Sequence, residues 1–213
     1  MKSEVANLRI NYSLNELLEG DIEKKPVDQF SRWFLEAKSS EIIEPNAMVL
    51  STVSDNKPKS RVVLLKGFDE RGFTFFTNYL SHKGQELAEN PFASLTFFWD
   101  KLQRQVRIEG KIEKLSEQES DEYFESRPKG SQIGAWVSEQ SQVILGREVL
   151  ENKQKELDQK YDSNAKVPRP AHWGGYLLVV DTIEFWQGRP SRLHDRIRYR
   201  LIEGNWVIDR LSP

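Results

Sequence analysis

Along the chain the spacing of apolar positions switches between the helical and the extended period, and each switch marks an element. Residues 1–25 are polar and hold no sustained period, which reads as a mobile N-terminal arm. From Pro26 onward, Phe30, Trp33, Phe34 and Ala37 fall at i, i+3, i+4 and i+7, the apolar stripe of an amphipathic helix, with proline tolerated in its first turn. Apolar and β-branched runs at Ala47 to Val53, Arg61 to Phe68 and Phe73 to Thr77, separated by turn residues at 54–58 and 69–72, predict an antiparallel meander. A helix is expected from His82 to Glu89, opened by Ser81 and closed by Asn90-Pro91, followed by strands at Ala93 to Trp99 and Gln103 to Leu115. Ser116-Glu-Gln-Glu119 matches a capping box and announces a helix towards Arg127. The polar stretch 146–161 reads as a solvated helix. Strands Tyr176 to Trp186, Arg196 to Ile202 and Trp206 to Leu211 end the chain, with turns at 171–175 and 203–205. Many antiparallel strands with helices between them predict an α+β fold, mostly antiparallel β, closed or nearly closed into a barrel, because closure removes exposed sheet edges.

Composition narrows this further. A length of 213 residues, at roughly 100–200 residues per domain, is expected to hold one domain over 26–213 with the arm before it. The formal net charge is −2 and the pI about 6.0, so no global field draws the protein to nucleic acid or an anionic membrane, and any anion site must be local. The chain contains no cysteine, which excludes disulfides, thiolate catalysis, iron–sulfur clusters and Cys-ligated zinc. The amino terminus lacks the apolar stretch of a signal peptide, and no run approaches ~18 apolar residues; the expectation is a soluble, cytoplasmic protein. His82, His172 and His194 have no metal-binding spacing, so no metal is expected, and no dinucleotide, P-loop or nucleophile-elbow motif occurs.

Several segments could carry chemistry. In Arg61-Val-Val-Leu-Leu-Lys66 two cations bracket four apolar residues and, on one strand, face opposite ways. They are either the snorkelling ends of a buried strand or ligands of a site that wraps the strand or crosses a subunit boundary. His82 and Lys83 place cations in the first turn of a helix, against its dipole, a conflict that an anion on the free amides would remove. Gln103, Gln105, Arg107 and Glu109 share a strand face that either meets water or reads the edge of a heteroaromatic ring. Tyr123 and Arg127 share a helix face and, with Ser131 in the following loop, could donate to one phosphate, or could form a plain polar surface. Gln140-Ser141 is a weaker signal. Arg192, His194, Arg196, Arg198 and Arg200 recur at period two, and such a row repels itself unless anions or carboxylates intervene. Asp195 warns that the strand begins only near Arg196.

Together the segments RVVLLK (61–66), RQVRIEG (104–110), SRPKGSQIGAW (126–136) and FWQGRPSRLHDR (185–196), in this order and spacing, resemble the FMN-dependent pyridoxine/pyridoxamine 5′-phosphate oxidases from about Arg9 to the C-terminus. The resemblance implies a split β-barrel with flanking helices, and a homodimer with FMN at the interface. It also implies oxidation of pyridoxine or pyridoxamine 5′-phosphate to pyridoxal 5′-phosphate, with O2 reduced to H2O2. By match to the family, Arg61, Lys66, Phe76, Thr77, His82, Lys83, Gln105, Gln140, Ser141, Trp186 and Arg196 would bind FMN. Lys66, Tyr123, Arg127 and Ser131 would hold the substrate phosphate, Arg192 and His194 would be the catalytic pair over the pyridine ring, and Arg9 and Tyr12 would belong to a lid. Two positions depart from the pattern: His82 stands where an arginine is expected at the FMN phosphate, and Ile10 follows Arg9 where a second basic residue is common. A flavin- or haem-binding split-barrel carrier without B6 chemistry would need the FMN set, but not Tyr123, Arg127, Ser131, Arg192 and His194 together.

Overall fold

The computed structural model describes residues 2–161 and 165–213. In chain order the elements are α1 (Lys2–Ala6), α2 (Pro26–Lys38), β1 (Ala47–Ser54), β2 (Lys57–Leu64), β3 (Gly67–Asp69), β4 (Gly72–Asn78) and α3 (His82–Glu89). They continue with β5 (Phe92–Trp99), β6 (Arg104–Lys114), α4 (Glu117–Ser126), α5 (Lys129–Val137), α6 (Arg147–Lys160), β7 (Trp173–Gln187), β8 (Asp195–Ile202) and β9 (Asn205–Arg210).

The strands form one antiparallel sheet in the order β2-β1-β5-β6-β7-β4-β3, with β8 and β9 branching from β7. β2 and β3 lie at opposite ends of this order, yet only Leu65 and Lys66 separate them in the chain. The sheet must therefore curl until its two edges stand side by side without pairing, which is a split barrel. At the seam Leu65 N–H donates to Asn46 O on one side (2.8 Å) and Lys66 N–H to Thr74 O on the other (2.9 Å). The strand expected over Arg61 to Phe68 is thus two strands, and the expected meander is two hairpins, β1–β2 and β3–β4, that do not pair with each other.

β7 carries the split. One edge pairs with β6 along its length; the other pairs with β4 over Trp173–Leu178 and with β8 over Thr182–Gln187. The β6–β7 register shifts between Glu109 and Gly110, where a Cβ on Gly110 would lie 2.0 Å from Val179 O, so only glycine fits the bulge. The turn expected at 171–175 is partly strand, because Trp173, Gly174 and Gly175 pair with Asn78, Thr77 and Phe76. Gly174 is needed there because the Tyr79 hydroxyl stands 2.1 Å from where its Cβ would be.

α2 buries Phe30, Trp33 and Ala37 in the barrel. The Phe30 ring, wholly buried, lies 4.8–6.0 Å from the rings of Phe34, Phe68, Phe73, Phe97 and Trp99. Buried Arg104 ties α2 to the sheet: it donates to Gln187 Oε1 at 2.8 Å, pairs with Glu36, and lies 4.3 Å over the Trp33 ring. A second core joins Phe124 of α4, Ile133, Ala135 and Val137 of α5, and Trp173. Ser116 caps α4 with both bonds of the capping box, and Ser81 caps α3 through Gly84 N–H. α6 buries none of its residues, as expected of a solvated helix.

The N-terminal segment lacks a period because it contains little regular structure, not because it lacks contacts. Ser13 and Leu14 N–H both donate to Gln103 Oε1 (3.0 and 3.3 Å), Leu17 is buried, and Leu17 N–H donates to Asp195 Oδ2 at 3.1 Å. Gln103 itself, with φ 54°, sits before β6 rather than on its polar face. Among the described residues no helix is long and apolar enough to cross a membrane, and no group of three or more acidic or histidine side chains could hold a metal.

Candidate functional site

Two clefts collect most of the residues singled out from sequence. The first, of about 580 Å³, opens at the barrel seam and is lined by Lys66, Phe76, Thr77, Lys83, Tyr123, Arg127, Ser131 and Gln140, together with Val62–Leu64, Asn78, Ser138 and Trp173. Lys66 reaches it because the chain leaves β2 there, and Lys83 because the Ser81 cap starts α3 beside β4. Lys83 Nζ donates to Gln140 Oε1 (2.9 Å), Thr77 Oγ1 (3.2 Å) and Ser81 Oγ (3.3 Å), and Thr77 Oγ1 donates to Gln140 Oε1 at 3.1 Å. Burial, and then the nearby Arg61 charge, lower the pKa of Lys83 below that of a free lysine, with Glu86 opposing.

The far wall is aromatic. Phe76 and Tyr123 stack with centroids 3.8 Å apart, Trp173 lies behind them at 5.6 Å from Phe76, and the Arg127 guanidinium sits 4.5 Å over the Trp173 ring. Arg127 Nη1 is buried and has no hydrogen-bond partner. Burial works against its charge and lowers its pKa, with Tyr123 opposing. A buried cationic donor left unpaired is costly unless an acceptor arrives, so a cleft lined by this group, Lys66 and Lys83 fits an anionic ligand. Ser131, expected in a loop, stands in the first turn of α5, a helix absent from the sequence reading.

The second cleft, of about 480 Å³, lies where the N-terminal segment crosses the loop between β7 and β8. Arg9, Tyr12, Arg192 and His194 line it, with Leu8, Ile10, Asn11, Arg189 and Ser191. Tyr12 lies edge-on to Trp186 (5.7 Å), and Trp186 packs on His194 (4.6 Å). Beside it Gln105, Trp186 and Arg196 sit directly across β6, β7 and β8 from one another, a polar–aromatic–cationic row. The two clefts share no lining residue.

Four sequence candidates fall elsewhere or are otherwise engaged. His82 is exposed on α3 and does not line the seam cleft, and Ser141 is exposed with φ 75°. Arg61 faces a buried carboxylate: Nη2 donates to Glu86 Oε2 and Nη1 to Thr52 Oγ1, both at 2.6 Å. Burial disfavours the Glu86 carboxylate, but the Thr52, Arg61 and Lys59 contacts outweigh it and hold its pKa below the ordinary value. Arg196 donates to both oxygens of Glu184 (2.8 and 3.0 Å), and Arg198 and Arg200 share Asp209. The period-two arginine row is therefore neutralised by carboxylates from Arg196 onward. Arg192 is not on that face, since it sits in a 3-10 turn with φ 62° before the strand begins. The sequence reading missed Glu86, Glu184, Trp173 and Arg189. Only Glu86 had a local signal, three residues after Lys83 on the same helix.

Comparison with known proteins bears on the family and the fold. The family model described as pyridoxamine 5′-phosphate oxidase matches residues 34–161, and that of the pyridoxine 5′-phosphate oxidase C-terminal dimerisation region matches 173–213. The chain is 58% identical over 215 residues to the pyridoxine/pyridoxamine 5′-phosphate oxidase of Nostoc punctiforme (strain ATCC 29133 / PCC 73102), and 56% identical over 215 residues to that of Gloeothece citriformis (strain PCC 7424). In both cases the match covers 100% of each chain. Among solved structures, PhzG from Burkholderia lata 383, in complex with tetrahydrophenazine-1-carboxylic acid, superposes with a TM-score of 0.88 at 31% identity, covering 94% of this chain and 100% of PhzG. A pyridoxamine 5′-phosphate oxidase-related, FMN-binding protein of Nostoc punctiforme PCC 73102 shares the fold, with a TM-score of 0.71 at 15% identity over 90% of this chain and 100% of that one.

Proposed function

The chain belongs to the pyridoxine/pyridoxamine 5′-phosphate oxidase family, and from that premise we propose that it is an FMN-dependent oxidase converting pyridoxine or pyridoxamine 5′-phosphate to pyridoxal 5′-phosphate. The observation that carries the reading is the unpartnered, buried Nη1 of Arg127 in a cleft with Lys66, Lys83, Tyr123 and Ser131. Arg127, Tyr123 and Ser131 hold the substrate phosphate, while Lys83, Thr77 and Gln140, with Arg61 braced behind them by Glu86, hold the FMN phosphate end. When bound, FMN accepts two electrons from the substrate carbon and O2 reoxidises it, giving H2O2. The protein's own contribution is to fix the substrate by its phosphate, far from the reacting carbon, so that binding energy is used for orientation.

Arg192 and His194 belong to the second cleft, and a single chain does not join them to Arg127. The matched dimerisation region spans 173–213 and so contains Trp186, Arg192, His194 and Arg196. In our reading a homodimer assembles each site from the seam cleft of one protomer and the Trp186–Arg196 segment of its partner, with FMN between them. Residues 1–25, which bring Arg9 and Tyr12 to the second cleft, then act as a lid over the substrate, and 26–213 as the FMN-binding domain.

The direct test is the visible spectrum of the purified protein under anaerobic conditions. Addition of pyridoxamine phosphate is expected to bleach the flavin band, and admission of O2 to restore it. A flavin spectrum indifferent to the substrate would favour a carrier. A second expectation concerns pH. The affinity that Lys83 lends to FMN is present while its ammonium is protonated and is lost as pH rises through its pKa. Because burial and Arg61 lower that pKa, the loss begins at lower pH than for an exposed lysine. Fluorescence titration of apoprotein should show this alkaline decline, and Lys83→Arg should abolish it, since arginine stays charged.

A further inference from the structure

The loop joining β7 to β8 fixes where the proton sits on His194. Arg189 N–H donates to His194 Nδ1 at 3.0 Å. A backbone N–H can only donate, so Nδ1 must present its lone pair, and the single proton of the neutral ring must lie on Nε2. The loop holds this arrangement firmly. Ser191 and Arg192 take left-handed φ values of 56° and 62°, Leu193 N–H returns to Pro190 O at 3.1 Å, and the chain thereby doubles back to bring residue 194 over the backbone of residue 189. The Arg189 side chain is anchored by Asn15 O (3.1 Å), Glu16 (3.3 Å) and Asp195 (3.4 Å). Trp186 and Tyr12 flank the imidazole, with centroids at 4.6 and 5.9 Å.

We propose that His194 acts as a fixed hydrogen-bond donor, through Nε2–H, to an acceptor atom on the bound substrate ring, and is not the base that takes a proton at the reacting carbon. The proposal rests on the assignment of the second cleft to the substrate ring. To accept a proton at Nε2 the ring would first have to carry its proton on Nδ1, and that would set N–H against N–H at Arg189. The imidazolium suffers the same clash. The surrounding charges act in the same direction. Arg192 in the loop, Arg189 at its start and Arg9 on the N-terminal segment are cations. Asp195 at the start of β8 is the carboxylate that favours the charged ring, and it already accepts from Arg210 (2.8 Å) and Leu17 N–H (3.1 Å). Burial and then Arg192 lower the pKa of His194, with Asp195 opposing, so the donor tautomer persists through neutral pH.

Long-range proton–nitrogen correlation spectra of the ¹⁵N-histidine-labelled holoenzyme read the tautomer without reference to turnover. Three histidines contribute signals, and the one lost in His194→Gln is His194. The expected pattern is a bare Nδ1 and a protonated Nε2, unchanged when substrate is added. A protonated Nδ1 in either state overturns the proposal. Turnover of two amide variants provides the second readout. Glutamine carries an N–H donor to about the position of Nε2 but cannot act as a base, whereas asparagine reaches only as far as Nδ1. His194→Gln should therefore lose no more than about tenfold in kcat, the scale of one imperfect hydrogen bond, and His194→Asn should fall as far as His194→Ala. If Gln and Asn fall together by about 10²–10⁴, the range of a lost general base, His194 is a base. A parent enzyme whose flavin ignores pyridoxamine phosphate would refute the oxidase reading, while the spectrum would still decide the tautomer.

Discussion

Replacing Arg127 by alanine is expected to weaken binding of pyridoxamine phosphate by about ten- to a hundredfold while FMN stays bound. The guanidinium lies over Trp173 with a buried, unpaired Nη1, and charge-assisted hydrogen bonds contribute roughly 1.5–3 kcal/mol each. Lys83→Ala should do the converse, releasing flavin from the Thr77–Gln140 corner. Bound flavin by absorbance and substrate affinity by fluorescence, on the same preparations, separate the two effects. Unchanged substrate affinity in Arg127→Ala would remove the phosphate from the seam cleft. The same variant tests how the site is assembled. If Arg127 and His194 act on one substrate from different protomers, co-expressing Arg127→Ala with His194→Ala subunits creates hybrid dimers with one intact site, and activity returns. If both residues act from the same protomer, every site in the hybrid is damaged and none returns.

The largest stability loss is expected from Phe30→Ala, at about 3–5 kcal/mol. The ring is wholly buried and touches aromatic partners from α2, β3, β4 and β5, so its removal leaves a cavity whose walls belong to elements that cannot all collapse inward. Denaturant unfolding of parent and variant at equal protomer concentration measures it, because the stability of a dimer depends on concentration. A loss below about 1 kcal/mol, the scale of an ordinary substitution, would mean that α2 is not the plug of the barrel.

What could be read from sequence was what local chemistry decides. The stripe of Phe30, Trp33 and Ala37, the Ser81 cap and the Ser116 box each specify their helix within a few residues, and all three helices are where those signals put them. The break at Leu65-Lys66 was not legible, because it depends on Asn46, in the turn before β1, and on Thr74 of β4. α5 was missed because Gly130 and Gly134 are weak helix formers and Ser131 was placed in a loop; the helix is held by burying Ile133, Ala135 and Val137 beside Phe124 and Trp173, a tertiary effect that overrides weak propensity. In the candidate site the cations were visible but their carboxylates were not. Glu184 meets Arg196 only through the β7–β8 register, and Asp209 meets Arg198 and Arg200 only through β8–β9. Period two alone therefore overstated how much of the arginine row was available to a ligand.

The position of β7 has a consequence for how the molecule is made. β4 ends at Asn78 and β6 at Lys114, and both wait for a strand that begins only at Trp173. During synthesis the two hairpins and α2 can gather, but the strand that joins them is made only after α4, α5 and α6, and contacts between segments so distant in sequence form slowly. Until then the unpaired edges of β4 and β6 are templates for association with other nascent chains. Chaperone dependence and aggregation during expression should accordingly track β7 more closely than the helices, and lesions in β7 should reduce the yield of soluble protein before they alter the chemistry of what folds.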